Sequence, residues 1–368
     1  MSTDVMILGA GFSKALGAPM QREILQRILK LDVSGLLEDE KSVYLRSLEK
    51  LKQLLSEVMF LSLTDLRIDL EDIYTPLDNS IFTGSSFRQL SAREASDFRK
   101  SIDTLISLFM KHSLENISSN DTFCSRLATD LTLYKTNHKK SDRLSFITTN
   151  WDILLDTALF NAMGHSDGQI DYCCHTVQFR TTDQYYPGLM ADALGKFRVK
   201  ILKLHGSMNW LHCPRCGRLY TTFDEKISIL EYLREPRCRI CAKNFGNSGT
   251  SDGGPILENQ LLMPTFLKEI SNAQLKLVWQ NAAIELSEAK NLYFIGYSFP
   301  SADFELRTLL SRNVSHSARI FVVNMGDDKE LLERYKKFFG KRKVSYLGEG
   351  AEHFVDDYRR KNLTSRST

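Results

Sequence analysis

Apolar residues in this chain fall into two kinds of run. Val5 to Leu8 is continuously apolar and ends in Gly9-Ala10-Gly11, as expected of a strand buried on both faces that enters a tight turn. Pro19 follows, and then Met20, Ile24, Leu25, Ile28 and Leu29 recur at helical spacing. Strand patterns return at Leu144 to Thr149, Val199 to Leu204, Asn291 to Ile295 and Ala318 to Val323. Each ends at a small or polar cluster: Asn150, His205-Gly206, Gly296-Tyr297-Ser298 and Asn324. Between about Gly35 and Lys140 the periodicity is helical, as in Tyr44 to Phe60 and Phe98 to His112. Polar loops are expected there near Asn79 to Ser86 and Ser118 to Asp121.

This alternation predicts an α/β fold, a Rossmann-like parallel sheet with helices on both faces. The sheet domain is assigned to 1–34, 141–207 and 255–350, a helical insertion to 35–140, and a small module to 208–254. Residues 351–368 are expected to form a C-terminal tail, frayed from Arg359 onward. Open parallel sheets bind ligands at the carboxyl ends of their strands, so five strand ends would converge on one crevice.

Composition narrows the picture only a little. With 368 residues, 42% of them hydrophobic and 25% charged, the chain can bury a real core as two domains or one with insertions. A net charge of +3 gives no argument for nucleic-acid or membrane partners. The basic clusters Lys139-Lys140, Lys336-Lys337 and Lys341-Arg342-Lys343 read as solvated faces, the last two flanking a buried pair, Phe338-Phe339. Direct nucleic-acid binding is not expected. The first residues lack a basic leader, and no run approaches the roughly 20 apolar residues of a membrane span. Seven cysteines, four of them in two Cys-x-x-Cys pairs, suit a reducing compartment, so a cytoplasmic location is expected.

Four elements carry candidate chemistry. Gly9-Ala10-Gly11-Phe12-Ser13 would let a backbone approach a pyrophosphate, although a short Gly-x-Gly serves equally as a plain turn. No acidic residue about twenty positions on reads as a ribose partner. Asn150 and Asp152, in Thr148-Thr149-Asn150-Trp151-Asp152, could hold a ribose, a carboxamide or a water; alternatively Asn150 caps a helix. His205, before Gly206 and Ser207, could be a general base near neutral pH or a structural histidine. Cys213, Cys216, Cys238 and Cys241, with 21 residues between the pairs, have the count and spacing of a structural four-cysteine zinc ribbon. Cys124, Cys173 and Cys174 are left over as buried or idle.

In this order, the pieces resemble the sirtuin (SIR2) superfamily. The glycine segment resembles its Gly-Ala-Gly-Ile-Ser, residues 148–152 its Thr-Gln-Asn-Ile-Asp, and His205-Gly206 its catalytic His-Gly. Gly296-Tyr297-Ser298 is similar to its Gly-Thr-Ser, and the cysteines and Asn324 fall where the zinc module and a late dinucleotide-contacting Asn fall. The resemblance covers half to two-thirds of the chain. It implies that Gly9, Ala10, Gly11, Phe12, Ser13, Arg22, Gly296, Ser298 and Asn324 hold NAD, with Asn150 and Asp152 lining the nicotinamide-ribose pocket. It implies that His205 acts as base toward a ribose hydroxyl or water.

Departures from the family's protein deacylases point to a branch. Where those carry Gly-Ile-Pro-Asp-Phe-Arg, this chain has Gly17-Ala18-Pro19-Met20-Gln21-Arg22. The phenylalanine that shields the reacting ribose carbon from water is here the polar Gln21, which favours hydrolysis. The peptide-docking Val-x-Phe-Gly-Glu is replaced by Leu261-Leu262-Met263-Pro264-Thr265-Phe266-Leu267. Asp69-Leu70-Glu71-Asp72-Ile73 resembles the acidic helix start of sirtuin-like proteins from bacterial anti-phage systems. The resemblance therefore implies an NAD glycohydrolase, yielding nicotinamide and ADP-ribose, that depletes cellular NAD when triggered. It implies a homo-oligomer, or a partner ATPase, helicase or Argonaute-type sensor. An NAD-dependent protein deacylase and a catalytically silent NAD or ADP-ribose sensor are the alternatives.

Overall fold

A computed structural model of the chain describes residues 4–63, 68–115, 117, 121–138, 144–164, 168–179, 197–221, 235–245, 253–267 and 270–364. Most of the loop read at Ser118 to Asp121, the pair Lys139-Lys140 and most of the segment from Gly246 to Gly254 lie outside the described residues. The chain opens with β1 (Asp4–Leu8), α1 (Ala10–Ala15) and α2 (Gln21–Leu29). Three longer helices follow, α3 (Glu38–Gln53), α4 (Leu70–Thr83) and α5 (Ala92–Glu115), and α3 runs on through a π turn at Leu54–Val58. Next come α6 (Phe123–Asn137), β2 (Leu144–Thr148), α7 (Leu154–Met163), β3 (Gly168–Asp171), β4 (Thr176–Gln178) and β5 (Phe197–Lys203). Then β6 (Gly206–His212), β7 (Leu219–Thr221), α8 (Arg239–Phe245), β8 (Glu258–Leu261) and α9 (Ala273–Glu288). The chain ends with β9 (Asn291–Ile295), α10 (Phe304–Asn313), β10 (Arg319–Val323), α11 (Lys329–Phe339), β11 (Val344–Leu347) and α12 (Gly350–Asn362).

Seven strands form one parallel sheet in the order β11-β10-β9-β1-β2-β5-β3. The four strand patterns after β1 match β2, β5, β9 and β10 to within two residues at either end. Every residue of β1 and β2 is buried, as a central parallel strand requires. Register aligns the strand ends: Leu8 pairs with Thr148 and Ile295, Thr148 with Lys203, and Val323 with Ile295. From β1 the chain works outward on one side to β5, then returns to β9 on the other, so the topological switch lies at β1.

Neighbouring residues of β9 show that both faces of the sheet are covered. Tyr293 packs on Phe354 and Tyr358 of α12, whereas Phe294 packs on Tyr335 and Phe339 of α11. Helices α6, α7 and α12 pack together on the Tyr293 face. The expected tail from 351 is thus helical in α12 as far as Asn362, and of the part expected to fray, Arg359 to Asn362 belong to that helix. Phe354, Val355, Tyr358 and Leu363 join the sheet core, an apolar stripe hidden among the polar residues of Arg359 to Lys361.

A separate core gathers α2 to α5, with Ile24, Leu25, Tyr44, Leu51, Ile73, Tyr74, Leu105 and Phe109 at its centre. Here α4 runs on to Thr83, so the loop expected from Asn79 begins only at Gly84, whose positive φ of 70° ends the helix. The second sheet, β4-β7-β6-β8, covers a third, small core of Leu211, Tyr220, Leu257 and three of the paired cysteines. β6 belongs to all three cores. Met208 enters the helical core, Trp210 the main-sheet core and Leu211 the third. Among the described residues no helix is long and apolar enough to cross a membrane.

Candidate functional site

The loops after β1 and β9 interlock. Gly9 N–H donates to the Ile295 carbonyl (3.0 Å) and Gly11 N–H to that of Gly296 (2.8 Å). A Cβ on Gly9 would lie 2.6 Å from the Tyr297 Cα, and one on Gly296 would lie 2.3 Å from the Phe12 nitrogen. The close approach that these glycines permit is therefore between two loops of the protein. Phe12 points away from the crevice, buried edge-on against Phe123, so only its backbone belongs to the site.

Asn150 does not cap a helix, because α7 starts later, at Leu154. Its Nδ2 donates instead to the Gly9 carbonyl and to Ser13 Oγ, both at 2.9 Å. Both amide hydrogens are then engaged, which leaves Oδ1 as the group this side chain can offer a ligand. Ser13 Oγ in turn donates to Asp152 Oδ2 (2.6 Å), and Asp152 Oδ1 accepts from Leu154 N–H (3.2 Å). Burial pushes the Asp152 carboxyl above the ordinary carboxylate range, against the opposing pull of Lys203 and Ser13. Lys203, at the end of β5, is fully buried. Its ammonium donates to the Asp152 carbonyl at 2.6 Å and faces the Asp156 carboxylate at 3.3 and 3.4 Å.

His205 follows β5, and the sharp turn beside it needs glycine. Gly206 has φ +76°, and a Cβ there would lie 1.8 Å from the Gln260 carbonyl oxygen. His205 Nε2 stands 3.8 Å from Asp303 Oδ1, whose other oxygen accepts from the Tyr297 hydroxyl (2.8 Å). Burial, then the charge of Asp303, push the Tyr297 phenol well above its usual range, so it stays a donor. A carboxylate so placed can orient the imidazole and stabilise its protonated form.

Ser13, Asn150, Asp152, His205, Tyr297 and Asp303 line one cleft of about 440 Å³, within the range of small-molecule sites, whereas Gly9, Gly11 and Lys203 are not among its lining residues. Ala10, Ser13, Asn150, Asp152, His205, Gly296 and Ser298 come from the carboxyl ends of β1, β2, β5 and β9. Helical elements and their starts supply another part of the lining, including Met20, Gln21, Arg22, Asp69, Glu71 and Met110. Gln21 Nε2 donates to Glu71 Oε1 at 2.8 Å within that part. Asn324 stands apart from the cleft lining, and its backbone bonds Leu347 and Gly350.

At the far end of β6, the four paired cysteines converge, with all their sulfurs within 4.8 Å of one another. Cys213 and Cys241 sulfurs are 3.8 Å apart, and those of Cys216 and Cys238 are 3.7 Å apart. Ligands about 2.3 Å from a common zinc ion at tetrahedral angles lie about 3.8 Å apart, so the set fits a structural zinc. Three of the four thiols are buried and every position is a thiol, which leaves no open place for catalysis.

No family model matches the chain, and no curated protein matches it. Similar solved structures include a mutant Sir2 homologue in complex with ADP-ribose, at 13% identity and a TM-score of 0.45, with 97% of this chain and 90% of that one covered. A sirtuin studied for substrate affinity is 14% identical, with a TM-score of 0.42 and coverages of 98% and 93%. A Sir2 with p53 peptide and NAD+ is 14% identical, with a TM-score of 0.39 and coverages of 97% and 92%.

Asp303, Tyr297, Lys203 and Glu71 are site groups to which pattern reading gives no role. Lys203 leaves a partial signal, one of two lysines, with Lys200, inside the apolar run from Val199 to Leu204.

Proposed function

We propose that this chain is an NAD-consuming enzyme of the sirtuin type that hydrolyses the bond between nicotinamide and ribose. The observation that carries the reading is the gathering of Asn150, Asp152 and His205 in one cleft beside the interlocked glycine loops, at the switch point of a parallel sheet. There Asn150 Oδ1 would accept from a ribose hydroxyl or a water. His205, oriented by Asp303, would take a proton from the ribose hydroxyl as positive charge develops on the sugar and return it once water has added. Apolar walls from Met110, Trp151, Leu262 and Pro264 would keep bulk water from the breaking bond.

Hydrolysis is favoured over peptide deacylation by the state of residues 262–266. Leu262 N–H donates to the His205 carbonyl, its own carbonyl accepts from Trp151 Nε1, and Phe266 N–H donates to Thr75 Oγ1. With Met263 buried in the helical core, little free backbone is left there for an added peptide strand. The proposal extends, through the acidic start of α4, to NAD depletion in anti-phage defence by a cytoplasmic homo-oligomer or beside a partner ATPase, helicase or Argonaute-type sensor.

The test is nicotinamide release from NAD by the purified chain, with and without acetylated peptide, beside His205→Ala. Release that ignores the peptide and is lost in the variant is the expected result. Release only with peptide would make the chain a deacylase, and binding without any turnover would make it a sensor.

A further inference from the structure

Four carboxylates line the cleft: Asp69, Glu71, Asp152 and Asp303. Asp152 has both oxygens engaged, by Ser13 and by the Leu154 N–H. Asp303 accepts from Tyr297 and faces His205. Asp69 is exposed, and its own N–H is tied to Asp72 at the start of α4. Glu71 differs from these three. It is half-buried, its Oε1 is held by Gln21, and its Oε2 has no partner among the described residues. It also comes from the helical part of the lining, whereas Asn150 and His205 follow strand ends of the same cleft. A carboxylate with one oxygen fixed and one open is arranged to hold a water by its hydrogen.

We infer that Glu71 is the general base for the attacking water, and that Gln21 is the positioning residue that aims it. The inference rests on the reading of the cleft as an NAD-hydrolysing site. In the step, the water oxygen bonds to the ribose C1′ as the C1′–N bond breaks, and the bonding pair leaves with neutral nicotinamide. The water proton passes to the Glu71 carboxylate and from there to solvent, so NAD+ and water give ADP-ribose, nicotinamide and a proton. The labour is divided between the two parts of the lining. The sheet edge breaks the bond, and the helical layer activates the nucleophile.

This division can be read separately from the cleavage itself. Exchange of labelled nicotinamide into NAD+ needs the C1′–N bond to break and re-form but no deprotonated water. Glu71→Gln should lower hydrolysis by about 100-fold, the usual scale of a general base, while exchange stays near the unaltered rate. Glu71→Asp should recover part of the hydrolysis, and Gln21→Ala should weaken hydrolysis with exchange intact. Thermal melting that is unchanged in each variant excludes unfolding as the cause. Undiminished hydrolysis in Glu71→Gln overturns the inference. So does equal loss of hydrolysis and exchange, which would place Glu71 in binding or bond cleavage. An unaltered chain that performs neither reaction overturns the functional reading itself, and Glu71 with it.

Discussion

Lys203 shows how much a single buried charge commits at this site. Its side chain is wholly enclosed, and its partners are one carbonyl and one carboxylate. Lys203→Met would leave Asp156 buried with, among the described residues, only the Tyr172 hydroxyl donating to it, at 2.7 Å. Removing one partner of a buried pair typically costs about 3–5 kcal/mol, so this variant should show a marked fall in denaturant midpoint. A midpoint within experimental error of the unaltered chain would mean that water reaches Asp156. Gly206→Ala should fail for a different reason, since the added methyl collides with the Gln260 carbonyl at a positive φ. Its expected result is loss of folded protein or a displaced His205. Gln21→Phe should reduce NAD hydrolysis by putting an apolar ring where an amide now holds Glu71. At this scale Asn150, Asp152 and His205 are legible in the sequence because each follows an apolar strand run. Asp303 and Tyr297 are not, because their roles arise only when the loop after β9 folds over the end of β5.

At the scale of elements, the link between α6 and α12 carries a pH dependence. Arg126 grips Asp356 through two parallel hydrogen bonds, Nε to Oδ1 at 3.1 Å and Nη2 to Oδ2 at 2.7 Å. The Arg126 hydrogen bond, ahead of the other influences, holds the Asp356 carboxyl below its ordinary 3.8. Because the folded value is the lower one, this stabilisation is present above 3.8 and is lost as the pH falls through the folded value. Asp356→Asn should therefore melt earlier at pH 7, and the gap should narrow as the pH drops below that range. Melting curves across the acid range decide it, and a constant gap would take the ion pair out of the account. Pattern alone makes α12 look like a tail, because its apolar residues are few and its end is basic. The edge strands β3 and β11 escape notice for a related reason. Only Ile170 among their residues is buried, so neither has the continuous apolar run that marks β1 and β2.

For the whole molecule, the metal module offers the clearest measurement. The purified chain should carry one zinc ion, by elemental analysis, and Cys216→Ser should lower both zinc content and melting temperature. A zinc-free chain with unchanged melting would leave the four thiols as packing alone. The cysteine spacing makes this module readable, since four thiols at near-standard intervals have few other uses. What spacing does not convey is that Ile24, Leu25 and Ile28, early in the chain, join the core of the helical layer and not that of the sheet.

That assignment leaves β6 as the strand on which all three cores depend. It begins one residue after His205 and ends one residue before Cys213. Metal loss at one end should spread along the strand, because the same seven residues supply Met208, Trp210 and Leu211 to three packed interiors. Amide exchange along this strand should be slow in the zinc-loaded chain and quicken on chelation, back toward the histidine. On the functional reading proposed above, a cell's zinc supply would then govern how much competent enzyme it holds, and scarcity of one nutrient would spare another.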